Sequence, residues 1–177
     1  MTGIRFSRLV DVPTAEVMTF LNDPGIARHM PLAGDQFDET TTRQWMEGKD
    51  GQWQTNGYGP WAVHVGDEFA GWCGFQLEGT DADFALVLRP KFWGTGERIY
   101  LQALAKGFQD FHYESIVVTL PPTRKVRRVL QRLGFQNDGE TEFFGHRFLR
   151  YRLTKLDWLQ FANSRHASSL LAFSADR

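Results

Sequence analysis

The chain has 177 residues, enough for one domain that buries roughly two-thirds of the surface its unfolded form would expose. Its 42% hydrophobic and 14% aromatic content argues for a packed globule and against disorder. Basic and acidic residues nearly cancel, giving a net charge of -1, so no global field favours nucleic acid or an anionic membrane as partner.

No apolar stretch is long enough to span a bilayer, and Arg5 and Arg8 interrupt the N-terminal segment where a signal peptide would need a continuous apolar core. A cytoplasmic protein is expected. Cys73 is the only cysteine, which excludes an internal disulfide and a zinc cage of several thiolates. The five histidines are widely separated, and no metal is expected.

In chain order, Ile4, Phe6 and Leu9 open as a short strand. Asp11-Val12-Pro13 reads as a helix start with Asp11 as cap, and Val17, Phe20 and Leu21 give that helix an apolar face. A second helix is expected from about Thr40 to Glu47, stopped by Gly48. Trp61, Val63 and Val65 then alternate along a strand, Gly66-Asp67 turns, and Phe69 to Leu77 returns as its partner. Asp83 to Leu88 reads as a buried strand. After Gly94-Thr95-Gly96 comes a helix carrying Ile99, Tyr100, Ala103, Leu104 and Phe108 on one face.

Ser115 to Leu120 is a further strand. Thr123 is placed to cap a helix with Val126, Val129, Leu130 and Leu133 along one side, and Gly134 to end it. Phe143 to Phe148 folds as a hairpin around Gly145. The order β-α-α-β-β-β-α-β-α-β-β gives an α+β class, with a mixed, mostly antiparallel sheet flanked by helices. Residues 1–154 form the domain. Residues 155–177 form a tail that is either an added helix, packing on the domain or on a second copy in a homodimer, or a ragged end.

The most informative stretch is Leu86-Val87-Leu88-Arg89-Pro90-Lys91-Phe92-Trp93-Gly94-Thr95-Gly96. An apolar strand runs into a glycine-containing loop where a helix begins. Amides at a helix N-terminus lack intrahelical acceptors and carry the positive end of the dipole, which suits a phosphate. The dinucleotide fingerprint G-x-G-x-x-G fails because Ile99 stands at its third glycine. The Walker A motif fails because Glu97-Arg98 follows Gly96. A bare G-x-G also fits a plain turn.

In context, this stretch resembles the acetyl-CoA signature of GNAT acetyltransferases, Q/R-x-x-G-x-G/A, and Pro90 to Gly96 is similar to the Rim-type variant P-x-Y-W-G-x-G. Leu21 to Pro24 with Arg28 to Pro31 resembles that branch's first helix and loop. Gly59 to Val63 and Phe69 to Gly74 resemble its central hairpin, Val129 to Phe135 its V-L-x-K-L-G-F helix end, and Gly145, Arg147 and Tyr151 its closing hairpin. The resemblance spans about residues 4–153.

It implies a GNAT fold that moves the acetyl group of acetyl-CoA onto a primary amine, of a protein N-terminus or a small molecule, by direct attack. Backbone groups of Leu86, Val87 and Leu88 are implied to pair with the pantetheine arm. The amides of Phe92, Trp93, Gly94, Thr95, Gly96 and Glu97 are implied to hold the pyrophosphate. Thr123 stands where the family often has Asn, near the cofactor.

Asp83 aligns with the family's glutamate in A-E-I-G-Y-W-L and is implied to accept the acceptor's proton; a solvated strand-start residue is the plain alternative. Leu130 stands where many members place a tyrosine acid, and Lys91 at the usual Gln/Arg. Glu97 would repel a pyrophosphate unless it points away. The basic helix after Pro122 is either a solvated face or, through Arg124 or Lys125, a contact for the 3′-phosphate of CoA. Trp45, Trp53, Tyr58, Trp61 and Trp72 are expected mostly in the core, with one or two lining an acceptor pocket. The rival reading is a catalytically silent acyl-CoA-binding module on the same fold.

Overall fold

The computed structural model describes residues 3–27, 30, 36–124 and 127–163. Seven strands form one sheet in the order β1-β2-β3-β4-β5-β7-β6. They are β1 (Ile4–Arg8), β2 (Pro60–Val65), β3 (Glu68–Glu78), β4 (Asp81–Leu88), β5 (Ser115–Leu120), β6 (Gln136–Phe143) and β7 (His146–Thr154). The helices are α1 (Thr14–Leu21), α2 (Pro24–Ala27), α3 (Glu39–Asn56), α4 (Gly96–Gln109), α5 (Arg127–Arg132) and α6 (Lys155–Asn163). β4 and β5 run parallel, whereas β1–β2, β2–β3, β5–β7 and β6–β7 are antiparallel. The α+β class expected from the element order is the class observed. No helix among the described residues is long and apolar enough to cross a membrane.

Backbone contacts divide the chain into two compact units. The first holds residues 1–76 and 86–96. Its core gathers Leu9, Val17, Phe20 and Ile26 with the strand residues Val63, Phe69 and Phe75. Cys73 lies on β3 opposite Trp61 and is wholly buried. Trp61 and Trp72 are core residues as expected, while Trp45, Trp53 and Tyr58 are half-buried. β3 carries two glycines for close approach: a Cβ at Gly71 (φ +147°) would stand 2.1 Å from the Val87 carbonyl oxygen, and one at Gly74 would stand 2.5 Å from Pro60 Cα.

Two expectations fail in this unit. Asp11 closes a short 3₁₀ turn, Leu9–Asp11, and does not cap α1, which begins directly after Pro13. The helix expected to stop at Gly48 runs through it to Asn56. Asp38 caps it in a reciprocal box with Thr41, and Gly57 ends it at φ +75°. Its C-terminal half is held by tertiary contacts: Arg8 pairs with Asp50 at 2.7 Å, and the Trp53 indole N–H donates to the Pro60 carbonyl at 2.9 Å.

The second unit holds residues 77–85 and 97 onward. Ile99, Tyr100, Ala103, Leu104 and Phe108 are the buried face of α4, as the periodicity predicts. Tyr100 packs edge-on against Phe84 and Phe108 stacks on Trp158 of α6. Gly134, at φ +91°, ends α5 with Phe135 N–H donating to the Leu130 carbonyl and Gly134 N–H to that of Gln131. The β6–β7 hairpin turns through Phe144 and Gly145, both at positive φ, and Phe144 is 90% exposed. Leu156 and Leu159 of α6 are also exposed.

Candidate active site

The exit of β4 is pinned from several sides within the first unit. Arg89 N–H donates to the Ala70 carbonyl at 2.8 Å, and its guanidinium stands over the Phe69 ring and beside Glu16. Pro90 then starts a 3₁₀ helix, Pro90–Thr95, where the sequence suggested an open loop. Its hydrogen bonds are local: Phe92 N–H to the Arg89 carbonyl, the Thr95 hydroxyl to the Phe92 carbonyl, and Gly96 N–H to the Trp93 carbonyl. Phe92 anchors the turn in the core. Trp93 is half exposed and its indole N–H reaches back to the Leu88 carbonyl at 3.0 Å. Lys91 pairs with Glu68 and leans on the Phe92 ring.

Gly94 and Gly96 are glycines that the fold itself does not require. Neither has positive φ. A Cβ at Gly94 would meet nothing within 4 Å, and at Gly96 the nearest atom is Leu88 Cδ1 at 3.9 Å. Glycine costs chain entropy, and at both positions the missing Cβ leaves the backbone uncovered. A group that must touch the amides, such as a pyrophosphate, fits these residues.

Along β4, Ala82 and Phe84 face the core, and the alternation of buried and half-buried positions breaks between Ala85 and Val87. The parallel register with β5 covers Ala82↔Ile116 and Asp83↔Val117. Asp81 and Asp83 lie on the face opposite Phe84, in the second unit. Asp81 is drawn well below the usual carboxylate range, chiefly by hydrogen bonds from Arg152 and then Arg150. Arg150 is held in turn by Asp81 and by Asp138 at 2.9 Å.

Asp83 has no such partner. Burial pushes its carboxyl up to about 7; Thr119 lowers it in part, the Glu78 charge raises it, and Arg150 pulls weakly downward. Its Oδ1 is buried and unbonded, as is Thr119 Oγ1. A carboxyl shifted to this range can take up a proton at physiological pH.

Glu97 opens α4, and its carboxylate is bound at 2.6 Å by Arg132 of α5. The Glu97 charge is thereby paired within the chain. Thr123 does not cap α5 within the described residues: it sits exposed in a turn closed by Arg124 N–H on the Pro121 carbonyl. Leu130 is wholly buried and forms part of the core. Lys125, Val126, Arg28, His29, Pro31, Leu170 and Leu171 lie outside the described residues. Sequence reasoning missed Thr119, Glu78 and Arg150 around Asp83, although the alternation of Ser115, Val117 and Thr119 on β5 already placed Thr119 on one face.

The family model for the Acetyltransferase (GNAT) domain matches residues 4–136, three-quarters of the chain. The chain belongs to the GNAT acetyltransferase family. As a GNAT protein it is an acyltransferase by family, and its strand–3₁₀–helix segment lies wholly inside the match. Solved structures share the fold. An acetyltransferase from Agrobacterium tumefaciens superposes with a TM-score of 0.69 at 16% identity, covering 88% of this chain and 93% of that one. A GNAT-family acetyltransferase from Bacillus anthracis gives 0.67 at 17%, covering 87% and 96%. A spermidine N-acetyltransferase from Vibrio cholerae, solved with CoA and spermine, gives 0.69 at 15%, covering 89% and 97%. Among the described residues no cluster of three or more His, Cys, Asp or Glu is placed to hold a metal.

Proposed function

We propose that this GNAT protein transfers the acetyl group of acetyl-CoA to a primary amine by direct attack, with Asp83 as general base. The observation that carries the reading is the pair of glycines, Gly94 and Gly96, that no internal contact or backbone angle demands. Acetyl-CoA supplies the activated thioester. The backbone of Leu86, Val87 and Leu88 pairs with its pantetheine arm. Of the amides from Phe92 to Glu97, those of Phe92 and Gly96 already donate to the Arg89 and Trp93 carbonyls, so the pyrophosphate falls to Trp93, Gly94, Thr95 and Glu97, with Phe92 as the buried anchor and Thr123 at the cofactor's edge. Asp83 lies three residues before Leu86 on β4, and takes the proton that an ammonium must lose before its nitrogen can attack. The pairing of Glu97 with Arg132 removes one ground for reading the chain as a silent binding module.

The acceptor we favour is a peptide α-amine, in keeping with the Rim-type pattern at Pro90 to Gly96. An α-amine has a pKa of about 7.7–8.0 against about 10.4 for lysine, so a carboxylate titrating near 7 suits it better. Release of CoA should be measured with acetyl-CoA and three acceptors: a peptide with a free N-terminus, the same peptide N-acetylated and carrying lysine, and spermidine. Turnover highest with the first supports this reading. Spermidine ahead of both peptides would move the acceptor to small amines, and inertness with all three, despite binding of acetyl-CoA, would return the chain to the silent module.

A further inference from the structure

Two buried oxygens on neighbouring strands of the second unit have no hydrogen-bond partner, Asp83 Oδ1 of β4 and Thr119 Oγ1 of β5. Native proteins leave few such atoms unsatisfied. Asp83 is in register with Val117, and Thr119, two residues further along β5, points to the same face. Thr119 in turn is in register with Arg150 of β7. Thr119 lies close enough to Asp83, through hydroxyl and backbone, to pull its carboxyl downward against the effect of burial. The charged groups acting on Asp83 are Glu78 of β3 and Arg150 of β7; Asp81, on β4 itself, keeps Arg150 engaged.

This face offers one carboxylate oxygen, which accepts, and one hydroxyl, which both donates and accepts. A water has the chemistry to serve such a pair, donating to a carboxylate oxygen, accepting from a hydroxyl and keeping a lone pair for a third partner. Aspartate has a short side chain, so an intermediary of this size extends its reach.

We propose that Thr119 is a positioning residue for the proton transfer, its hydroxyl and Asp83 Oδ1 together holding the water through which the acceptor's ammonium proton reaches the carboxylate. An N–H bond of the ammonium breaks and its proton joins the water oxygen. One of the water's own protons passes to Asp83 Oδ1, and the amine keeps the electron pair for attack. Nothing is oxidised or reduced. The inference rests on the reading of Asp83 as base given above, and the experiment separates the two.

Turnover against pH is to be compared in the parent, Thr119→Val, Thr119→Ser, Asp83→Asn and the Asp83→Asn/Thr119→Val double variant. The acceptor is the free-N-terminus peptide, or spermidine if that is the faster. Valine matches threonine in shape and removes the hydroxyl alone. We expect Thr119→Val to lose about tenfold or more in kcat, with the KM for acetyl-CoA within about twofold of the parent. Its acidic limb should move to higher pH, because a group that lowers the Asp83 pKa has gone. Thr119→Ser should restore both, and the double variant should be no slower than Asp83→Asn. If Asp83→Asn is crippled while Thr119→Val keeps the parent's kcat and limb, the positioning role is overturned and the base stands. If Asp83→Asn keeps most of its turnover, both readings fall. A valine variant that is slow but not rescued by serine also overturns the proposal, since a lost fit and not a lost hydroxyl would explain it.

Discussion

Replacing Gly96 with alanine should strengthen the empty protein and weaken its hold on acetyl-CoA. Gly96 has φ −55° and ψ −43°, ordinary helical angles for alanine. The added methyl would meet Leu88 Cδ1 at 3.9 Å and Leu86 Cδ2 at 4.0 Å, normal van der Waals distances. A Gly→Ala change at a compatible backbone adds about 0.4–1 kcal/mol, mainly by restricting the unfolded chain. For a protein of this size that is a rise of roughly 1–4 °C in melting temperature.

The bound state should move the other way. Ligand at about 100 times the parent's dissociation constant stabilises by about 2.7 kcal/mol. If the methyl blocks approach to the amides and costs tenfold in affinity, the same concentration yields only about 1.4 kcal/mol. Thermal unfolding with and without acetyl-CoA reads both effects at once. Gly71→Ala is the contrast: with φ +147° and a Cβ 2.1 Å from the Val87 oxygen, it should lose roughly 2 kcal/mol or more before any ligand is added. An alanine variant at 96 that binds acetyl-CoA like the parent would refute the argument that this glycine is kept open for a ligand. One that unfolds more easily when empty would refute the reading of the space around it.

Three further outcomes are expected. Asp83 is protonated more readily folded than unfolded, so its contribution to stability declines as pH rises from about 4 to about 7. Asp83→Asn should thus be at least as stable as the parent at pH 8 by urea unfolding, even while turnover falls about a hundredfold or more. Arg132→Ala leaves the Glu97 carboxylate unneutralised at the start of α4, and should weaken acetyl-CoA binding by less than about fivefold, as befits an exposed pair. Calorimetry should show the loss reversed in the Arg132→Ala/Glu97→Gln double variant. Asp81→Asn removes one of the two carboxylates holding Arg150 and lets it turn toward Asp83, so the acidic limb of the pH–rate profile should move to lower pH.

The parts of this protein legible in its sequence are those set by local pattern. Period-2 and period-3.6 runs located β2, β3, β5 and α4, and Gly134 marked the end of α5. From sequence alone α3 reads as a shorter helix, because Gly48 looks like a stop. It has no positive φ and nothing near its Cβ position, and the helix continues because Arg8, Asp50, Trp53 and Pro60 hold its far half in place. Arg8 and Asp50 lie 42 positions apart and Pro60 lies beyond the end of the helix, so neither contact shows in the helix's own pattern. The same holds for the candidate site. Asp83 and the glycines were visible as a linear motif, but the setting of Asp83 was not. Glu78, Thr119 and Arg150 come from three other strands, and the registers Asp83↔Val117 and Thr119↔Arg150 bring the latter two to its face. The partner of Glu97 was likewise hidden, because Arg132 lies 35 residues away.

The burial of Cys73 has a practical consequence for anyone assaying this protein. Its thiol has no exposed surface and burial pushes its pKa far above the normal range, so the native chain offers no reactive thiolate. In the CoA-release test set out above, a disulfide reagent will therefore not react with native enzyme, and any colour reads free CoA thiol without protein background. The same sulfur becomes reactive when the core opens. Slow labelling of Cys73 without substrate then counts the fraction of molecules transiently open, a gauge of folding stability built into the chain at one atom.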